Sequence, residues 1–381
     1  MGFSEYFRSG EWRGSARVRR LCDLLGPVGG EGLEAMAREA RSLTQRHFGR
    51  TMRLFAPLYL SNECVNACKY CGFSRDNPIL RVTLTADQVE AEARYLADKG
   101  FRSILLVAGE HPRFVSEGYL ETCVRRVCGL VPSVALEVGP MEEAAYRPMV
   151  EAGAEGLVVY QETYDPDRYA DLHTAGPKKD FNWRLDCPER AAAAGFKRVG
   201  IGALLGLADW REEAVRLAAH ADYLLRVCWR SFLTVSFPRL RPAAGQFQPA
   251  FPVGDREFVQ LMCAFRIAFP RIGLVLSTRE PQGLRDHLAL IGVTHMSAGS
   301  HTEPGGYTGA GQGSAHLTVR GRPVPVIASE GEHRSATEQF VIADERPAAE
   351  VALRLAEMGF DPVWKDWDRA LAGTAGWEDA P

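Results

Sequence analysis

The sequence predicts an α/β fold, a parallel (β/α)8 barrel of the TIM type with an N-terminal helical extension and a small C-terminal α/β cap. Three observations carry that expectation. From Thr51 onward, eight short apolar runs, at 53–60, 102–108, 133–139, 156–162, 198–207, 232–239, 273–279 and 294–299, alternate with longer amphipathic segments. Strands covered by helices on both faces read as near-continuous apolar runs of this kind. Helix punctuation separates the runs: Thr85-Ala86-Asp87-Gln88 is a capping box, Gly100 closes the helix it opens, and Ser116 stands where the next helix needs a cap. Finally, 381 residues of which 46% are hydrophobic can build the core of one large barrel with appendages. Pattern alone does not show closure, so a doubly wound open sheet is the rival architecture.

Taken in order, residues 1–50 form the helical extension: Leu33, Met36, Ala37, Ala40 and Leu43 recur at helical intervals between Glu31 and Phe48, before Gly49. Residues 51–300 form the barrel, with further helices expected near 141–152, 182–194, 210–227, 255–270 and 281–291. Residues 301–381 form the cap. Its first part, 301–335, is rich in Gly, Pro and mixed polar residues without period, and reads as a loop. A short apolar run from Phe340 to Ala343, a helix from Pro347 to Met358 closed by Gly359, and an aromatic segment with Trp364 and Trp367 as packing anchors complete it.

Composition narrows the function. Forty-five basic against 48 acidic side chains leave a formal charge of -3, which gives no reason to expect nucleic acid or an anionic membrane surface as partner. No apolar run approaches the roughly 18 residues that span a bilayer, and no apolar signal region follows Met1, so a cytoplasmic protein is expected. Six of the nine cysteines are scattered singly, as suits reduced core thiols. The other three are not.

Cys64, Cys68 and Cys71 fall at C-x3-C-x2-C spacing in a loop straight after the first apolar run. Three thiolates are one short of a closed tetrahedral zinc site, and one short of ligating all four irons of a 4Fe-4S cluster. One coordination position is therefore left open for a substrate or cofactor. The spacing, with Tyr70 before the last cysteine and Gly72-Phe73 after it, resembles the cluster loop of the radical S-adenosylmethionine (SAM) enzymes.

In a barrel of this kind the reactive groups lie at the carboxyl ends of the strands. The second run ends in Gly109-Glu110, similar to the pair with which radical SAM enzymes hold the methionyl amino group. Glu137 sits inside the third run, where an acid is costly to bury without a partner. The fourth ends Tyr160-Gln161-Glu162-Thr163-Tyr164; with Arg184 on the next helix, it resembles the positions that bind the cofactor's ribose and carboxylate in the tyrosine-lyase branch. Arg239 and Arg241 end the sixth run, Arg279 the seventh and Ser297 the eighth, a ring of basic and hydroxyl groups suited to an amino-acid carboxylate.

Longer motifs extend the likeness: the cluster segment at 57–74, L-L-V-A-G-E-H at 105–111, V-Y-Q-E-T-Y at 159–164, S-F-P-R-L-R-P at 236–242, S-T-R-E at 277–280, P-G-G-Y at 304–307 and P-V-W-K-D-W-D at 362–368. Together these resemble the 2-iminoacetate synthase family, the radical SAM tyrosine lyases of thiamine-thiazole biosynthesis. The stretch near 308–335 is longer than that family leads one to expect. The resemblance implies a 4Fe-4S cluster on Cys64, Cys68 and Cys71, and SAM held by Tyr70, Gly109, Glu110, Glu137, Gln161, Glu162 and Arg184. It implies L-tyrosine as substrate, its carboxylate clamped by Arg279 with Ser297 as second donor and Arg239 or Arg241 closing the pocket. It further implies a flavodoxin- or ferredoxin-type electron donor, and thiazole synthase as a partner consuming the product. Three alternatives stay open. The hydrogenase-maturation tyrosine lyase carries a second cluster on a C-terminal cysteine motif, whereas no cysteine follows Cys263 here. A tryptophan-cleaving lyase shares several of the same features, and a non-catalytic metal-binding scaffold is the third.

Overall fold

The computed structural model of the chain describes residues 2–324 and 335–364. Eight parallel strands, β1 (Thr51–Ser61), β2 (Ser103–Ala108), β3 (Ser133–Glu137), β4 (Gly156–Val158), β5 (Arg198–Gly202), β6 (Phe232–Ser236), β7 (Gly273–Leu276) and β8 (His295–Ser297), follow one another around the sheet. The eighth returns to the first, with Arg53 opposite His295 and Phe55 opposite Ser297. That pairing closes the barrel and removes the open-sheet alternative.

Apart from β1, the strands are shorter than the apolar runs that announce them. Beyond Val158 and Gly202 the regular strands end but single backbone bonds and bridges continue, the chain stays largely buried, and these overhangs carry polar groups into the barrel mouth. The helices fall close to their expected places. Thr85 and Gln88 make both bonds of the capping box, and the Ser116 side chain accepts from the N–H of Tyr119. The helix expected over 182–194 is instead two, Phe181–Leu185 and Cys187–Ala194, because Pro188 has no N–H to continue the first and starts a new one.

The N-terminal helices Phe3–Ser9, Ala16–Leu24 and Gly30–Phe48 lie on the outer helices Trp210–Val227 and Asp255–Ala268. Gln260 donates to the carbonyls of Leu24 and Gly26 at 2.9 and 2.7 Å, Arg17 pairs with Asp222 at 2.8 Å, and the ring of Phe3 stacks on His220 with centroids 4.0 Å apart. The extension thus thickens the helical shell. Among the described residues, no helix is long and apolar enough to cross a membrane.

At the other end of the chain, residues 335–346 run as a strap across the mouth. Backbone N–H groups of Thr337, Gln339, Val341 and Ala343 donate to carbonyls of Leu80, Thr302, Pro242 and Thr278 at 2.8 to 3.0 Å, so one segment touches loops after β1, β6, β7 and β8. Its far end is fixed by Asp344, which pairs with Arg285 and Arg346; the Arg285 and Asp344 side chains are fully buried. Removing one partner of such a pair costs about 3–5 kcal/mol, because the other is left buried and uncompensated. The stretch expected as a loop also contains a hairpin, His316–Val319 with Arg322–Val324, paired antiparallel to Ile79–Arg81. Residues 325–334 lie outside the described part. Asp361–Val363 adds a strand beside the lower half of β1, where Trp364 packs edge-on to Phe101 at 5.1 Å; Trp367 lies outside the described residues.

Candidate active site

The site is built from the loops that follow the strands, beginning with the cysteine loop after β1. The register of β1 against β2 shifts between Tyr59 and Ser61, and from there the chain enters residues 62–78. Arg81, fully buried, ties the two ends of this loop together: its guanidinium donates to the carbonyls of Asn62, Phe73 (3.1 Å) and Ser74 (2.9 Å) and to the Thr318 hydroxyl (2.6 Å). Ala67–Cys68 pairs antiparallel with His173–Ala175, which stitches the middle. The Asn66 amide bridges outward, donating to Glu110 at 2.7 Å and accepting from the Lys178 N–H at 2.9 Å.

Cys64, Cys68 and Cys71 are all free thiols on this fixed loop, Cys68 buried and the other two partly so. The N–H of Asn66 lies 3.5 Å from the Cys64 sulfur and its side-chain amide 3.6 Å. Among the described residues no three Cys, His, Asp or Glu side chains converge as a single metal ion requires. A four-iron cluster makes no such demand, because each thiolate ligates a different iron. Three thiols on a pinned loop, with N–H donors aimed at sulfur, fit a cluster with one iron left open.

Beside the cysteines, the end of β4 forms the second part of the site. Glu162 has a left-handed backbone (φ 73°), a conformation that strains a non-glycine residue by about 1–3 kcal/mol. Bonds on both sides hold it there: Leu204 N–H donates to its carbonyl at 2.7 Å, and Glu213 accepts from the Thr163 hydroxyl at 2.7 Å and the Tyr164 N–H at 2.8 Å. Lys178 pairs with the Glu162 carboxylate at 2.7 Å and Arg184 stands 3.5 Å from it, while Arg184 Nε donates to the Tyr160 carbonyl at 2.7 Å. Burial alone would raise the Glu162 pKa; the two cations outweigh it and hold the group below the ordinary carboxylate value. Gln161 donates to the Phe181 carbonyl at 3.3 Å, and its side-chain oxygen is buried without a partner among the described residues. Tyr70 donates to His173 Nε2 at 2.8 Å; the ring's other nitrogen faces the Tyr169 carbonyl at 2.8 Å and so carries the proton.

Glu137, at the end of β3, is pushed up to about 7 by burial and by the Glu162 charge, with Arg279 across the mouth partly opposing the rise. Arg279 itself is held differently from the other arginines of the site. Among the described residues it makes no ion pair; its guanidinium lies 3.4 Å from the centroid of the Phe340 ring, and it senses Tyr59, Glu162, Glu137 and Tyr160 only through space. Its fork is free to take a carboxylate in two parallel hydrogen bonds. The Ser297 hydroxyl accepts from the Thr278 N–H at 3.1 Å, which leaves its proton to donate.

The structure gives several expected residues other work. Arg239 is engaged by Glu280, Asp255 (2.8 Å) and the Val253 carbonyl (3.1 Å), so its fork is spent on the protein. Arg241 reaches the Val341 carbonyl at 3.4 Å, on the strap. Sequence reading counted these two bases but not the acids that chain folding brings to Arg239. Glu110 places its carboxylate on Asn66. Gly109 is glycine because a β-carbon there would sit 2.3 Å from the Glu63 carbonyl oxygen, a close approach of the cysteine loop itself. Arg81, Lys178, Gln339 and Phe340 were missed. Lys178 follows Gly176-Pro177 and reads as a surface turn; the others carry no local signal.

Comparison with known proteins bears on this geometry. The Radical SAM superfamily model matches residues 58–218, and the Biotin and Thiamin Synthesis associated domain matches residues 236–361. The 2-iminoacetate synthase of Escherichia coli (strain K12) is 39% identical over 349 residues, covering 91% of this chain and 86% of the relative. The chain belongs to the 2-iminoacetate synthase family. Another member of the family, from Salmonella typhimurium, is 39% identical over 92% of this chain and 87% of its own. In three dimensions the family member resembles the FeFe-hydrogenase maturase HydG from Carboxydothermus hydrogenoformans, with a TM-score of 0.80 at 33% identity, over 95% of this chain and 79% of that one. Membership of this radical SAM family brings a 4Fe-4S cluster and SAM as cofactors, and the three free thiols of the cysteine loop are compatible with such a cluster.

Proposed function

We infer that this chain is a radical SAM lyase that cleaves the Cα–Cβ bond of L-tyrosine to 2-iminoacetate and p-cresol, for the thiazole of thiamine. The observation that carries the reading is Arg279, a partly buried cation without an ion pair among the described residues, which rests on the Phe340 ring and senses Glu137 and Glu162 across the mouth. Cys64, Cys68 and Cys71 would hold the cluster. Gln161, Glu162 and Arg184, with Tyr70 and Glu137 around them, would hold SAM. When bound, these cofactors supply the one-electron reductive cleavage that yields a 5'-deoxyadenosyl radical able to take a hydrogen from the tyrosine amine.

The protein's share is position and exclusion of water. Arg279 grips the substrate carboxylate and Ser297 adds a donor, which turns the amine toward the cysteine loop and fixes which hydrogen is in reach. The strap covers the mouth through Phe340 and keeps the site dry. The side-chain oxygen of Gln161, without a partner among the described residues, stands ready to accept from a cofactor hydroxyl or amine. A flavodoxin- or ferredoxin-type protein would deliver the electron in the cytoplasm, and thiazole synthase would take up the labile imine.

The test is product analysis after anaerobic incubation with SAM, reductant and each aromatic amino acid in turn. Tyrosine alone should yield p-cresol, glyoxylate from hydrolysed imine, and 5'-deoxyadenosine; adding thiazole synthase should lower the glyoxylate. Cleavage of tryptophan in place of tyrosine would overturn the substrate assignment, and unchanged glyoxylate would remove the partner.

A further inference from the structure

The strap residue next to Phe340 points to a role at the cluster that adds to what the cysteine loop supplies. We propose that Gln339 is a positioning residue that donates a hydrogen bond from its side-chain amide to the Cys71 thiolate and thereby raises the reduction potential of the cluster. The inference rests on the reading of Cys71 as a cluster ligand.

Two contacts fix the orientation of this amide. The Tyr59 hydroxyl donates to Gln339 Oε1 at 2.8 Å, and the Tyr59 ring is itself set by an edge-on contact with Phe73 at 5.9 Å. With its oxygen engaged, Gln339 turns Nε2 toward the Cys71 sulfur, 4.0 Å away. The reverse orientation would aim an amide oxygen at a thiolate, two acceptors with no proton between them. The backbone leaves little room to drift: Gln339 N–H donates to the Thr302 carbonyl at 2.9 Å, and the Gln339 carbonyl lies so close over Gly72 that a β-carbon there would come within 2.3 Å of its oxygen. Gly72 directly follows Cys71, so the absence of a side chain there is what lets the strap reach the sulfur.

Hydrogen bonds to ligating sulfur draw charge from the thiolate and favour the reduced, more negative cluster; they are among the factors that set the potential of iron–sulfur centres. Asn66 serves Cys64 in this way from within the loop. Gln339 serves Cys71 from a segment 268 residues further along the chain. The next residue, Phe340, carries Arg279 on its ring, so two consecutive residues of the strap face the cluster and the substrate clamp.

The experiment is a redox titration followed by electron paramagnetic resonance on the full chain with its cluster reconstituted, for wild type, Gln339→Leu and Tyr59→Phe. Leucine keeps the size and loses the donor. The expected result is a midpoint displaced to more negative potential in Gln339→Leu at unchanged iron and sulfide content, with a smaller displacement in the same direction for Tyr59→Phe. A wild-type midpoint in a fully loaded Gln339→Leu protein overturns the proposal. If that variant does not take up its cluster, Tyr59→Phe decides, and an unmoved midpoint there overturns it equally. Wild-type protein that binds no iron and sulfide would overturn the assignment of Cys71, and this inference with it, in a way the titration of a loaded variant does not.

Discussion

The two halves of the barrel mouth are held in opposite ways. On the side of β1 to β4, many polar groups are engaged by the protein itself: Arg81 spans the cysteine loop, Asn66 links it to Glu110 and Lys178, and Lys178 and Arg184 flank Glu162. On the side of β7 and β8, Arg279 rests on an aromatic face and Ser297 keeps a proton to give. A cluster and its cofactor need a cradle of fixed shape, which mutual hydrogen bonds provide before anything binds. A substrate clamp needs an unspent cation, and a ring face can hold a guanidinium in place without using up its forked donors. Arg239, at the same rim, shows the contrast, because its carboxylate partners leave it nothing for a ligand.

If that division is right, breaking the cradle should remove all chemistry, and breaking the clamp should misdirect it. The largest effect is expected for Cys71→Ala, which should abolish 5'-deoxyadenosine formation with or without tyrosine. Normal 5'-deoxyadenosine production by this variant would refute the cradle. Arg279→Lys should leave cofactor cleavage intact but lower the ratio of p-cresol to 5'-deoxyadenosine, since lysine keeps the charge and loses the planar fork. A displacement of about 1 Å at a reacting centre can cost on the order of 100-fold. An unchanged ratio would mean that the carboxylate is held elsewhere.

The smallest effect tests how the cradle is braced. Glu213, behind the strained Glu162, is pushed up to about 7 by burial, with the bonds from Thr163 and Tyr164 opposing part of the rise. The folded protein therefore binds this proton more tightly than the unfolded chain does. Stability from Glu213 is present at low pH and is lost as pH rises from the usual glutamate range through about 7. Each tenfold difference in proton affinity between the folded and unfolded chain is worth about 1.4 kcal/mol, so the loss amounts to roughly 3 kcal/mol. Glu213→Gln should flatten this part of the pH–stability curve, measured by denaturant unfolding of the cluster-free protein between acid and neutral pH. A wild-type slope in the variant would show that Glu213 does not brace the strand end through a buried carboxyl.

What the sequence by itself determined is whatever rests on local chemistry. The apolar runs mark the eight strands because a strand buried on both faces must be apolar throughout; the capping box and Ser116 mark helix starts because orphan N–H groups need acceptors within three residues. The cysteine loop is legible for the same reason, since its three donors lie within eight residues of one another. Only the tertiary structure decided how the loop is held and that Arg279, unlike Arg239, makes no ion pair among the described residues. Arg81 meets Thr318, Arg239 meets Glu280 and Asp255, Gln339 meets Tyr59 and Cys71, and Phe340 meets Arg279. These partners are separated by 16 to 280 residues, so no window of sequence contains most of the pairs. Whether a cation serves the fold or the substrate depends on which side chain arrives next to it, and closure of the barrel under the strap is what brings that side chain there.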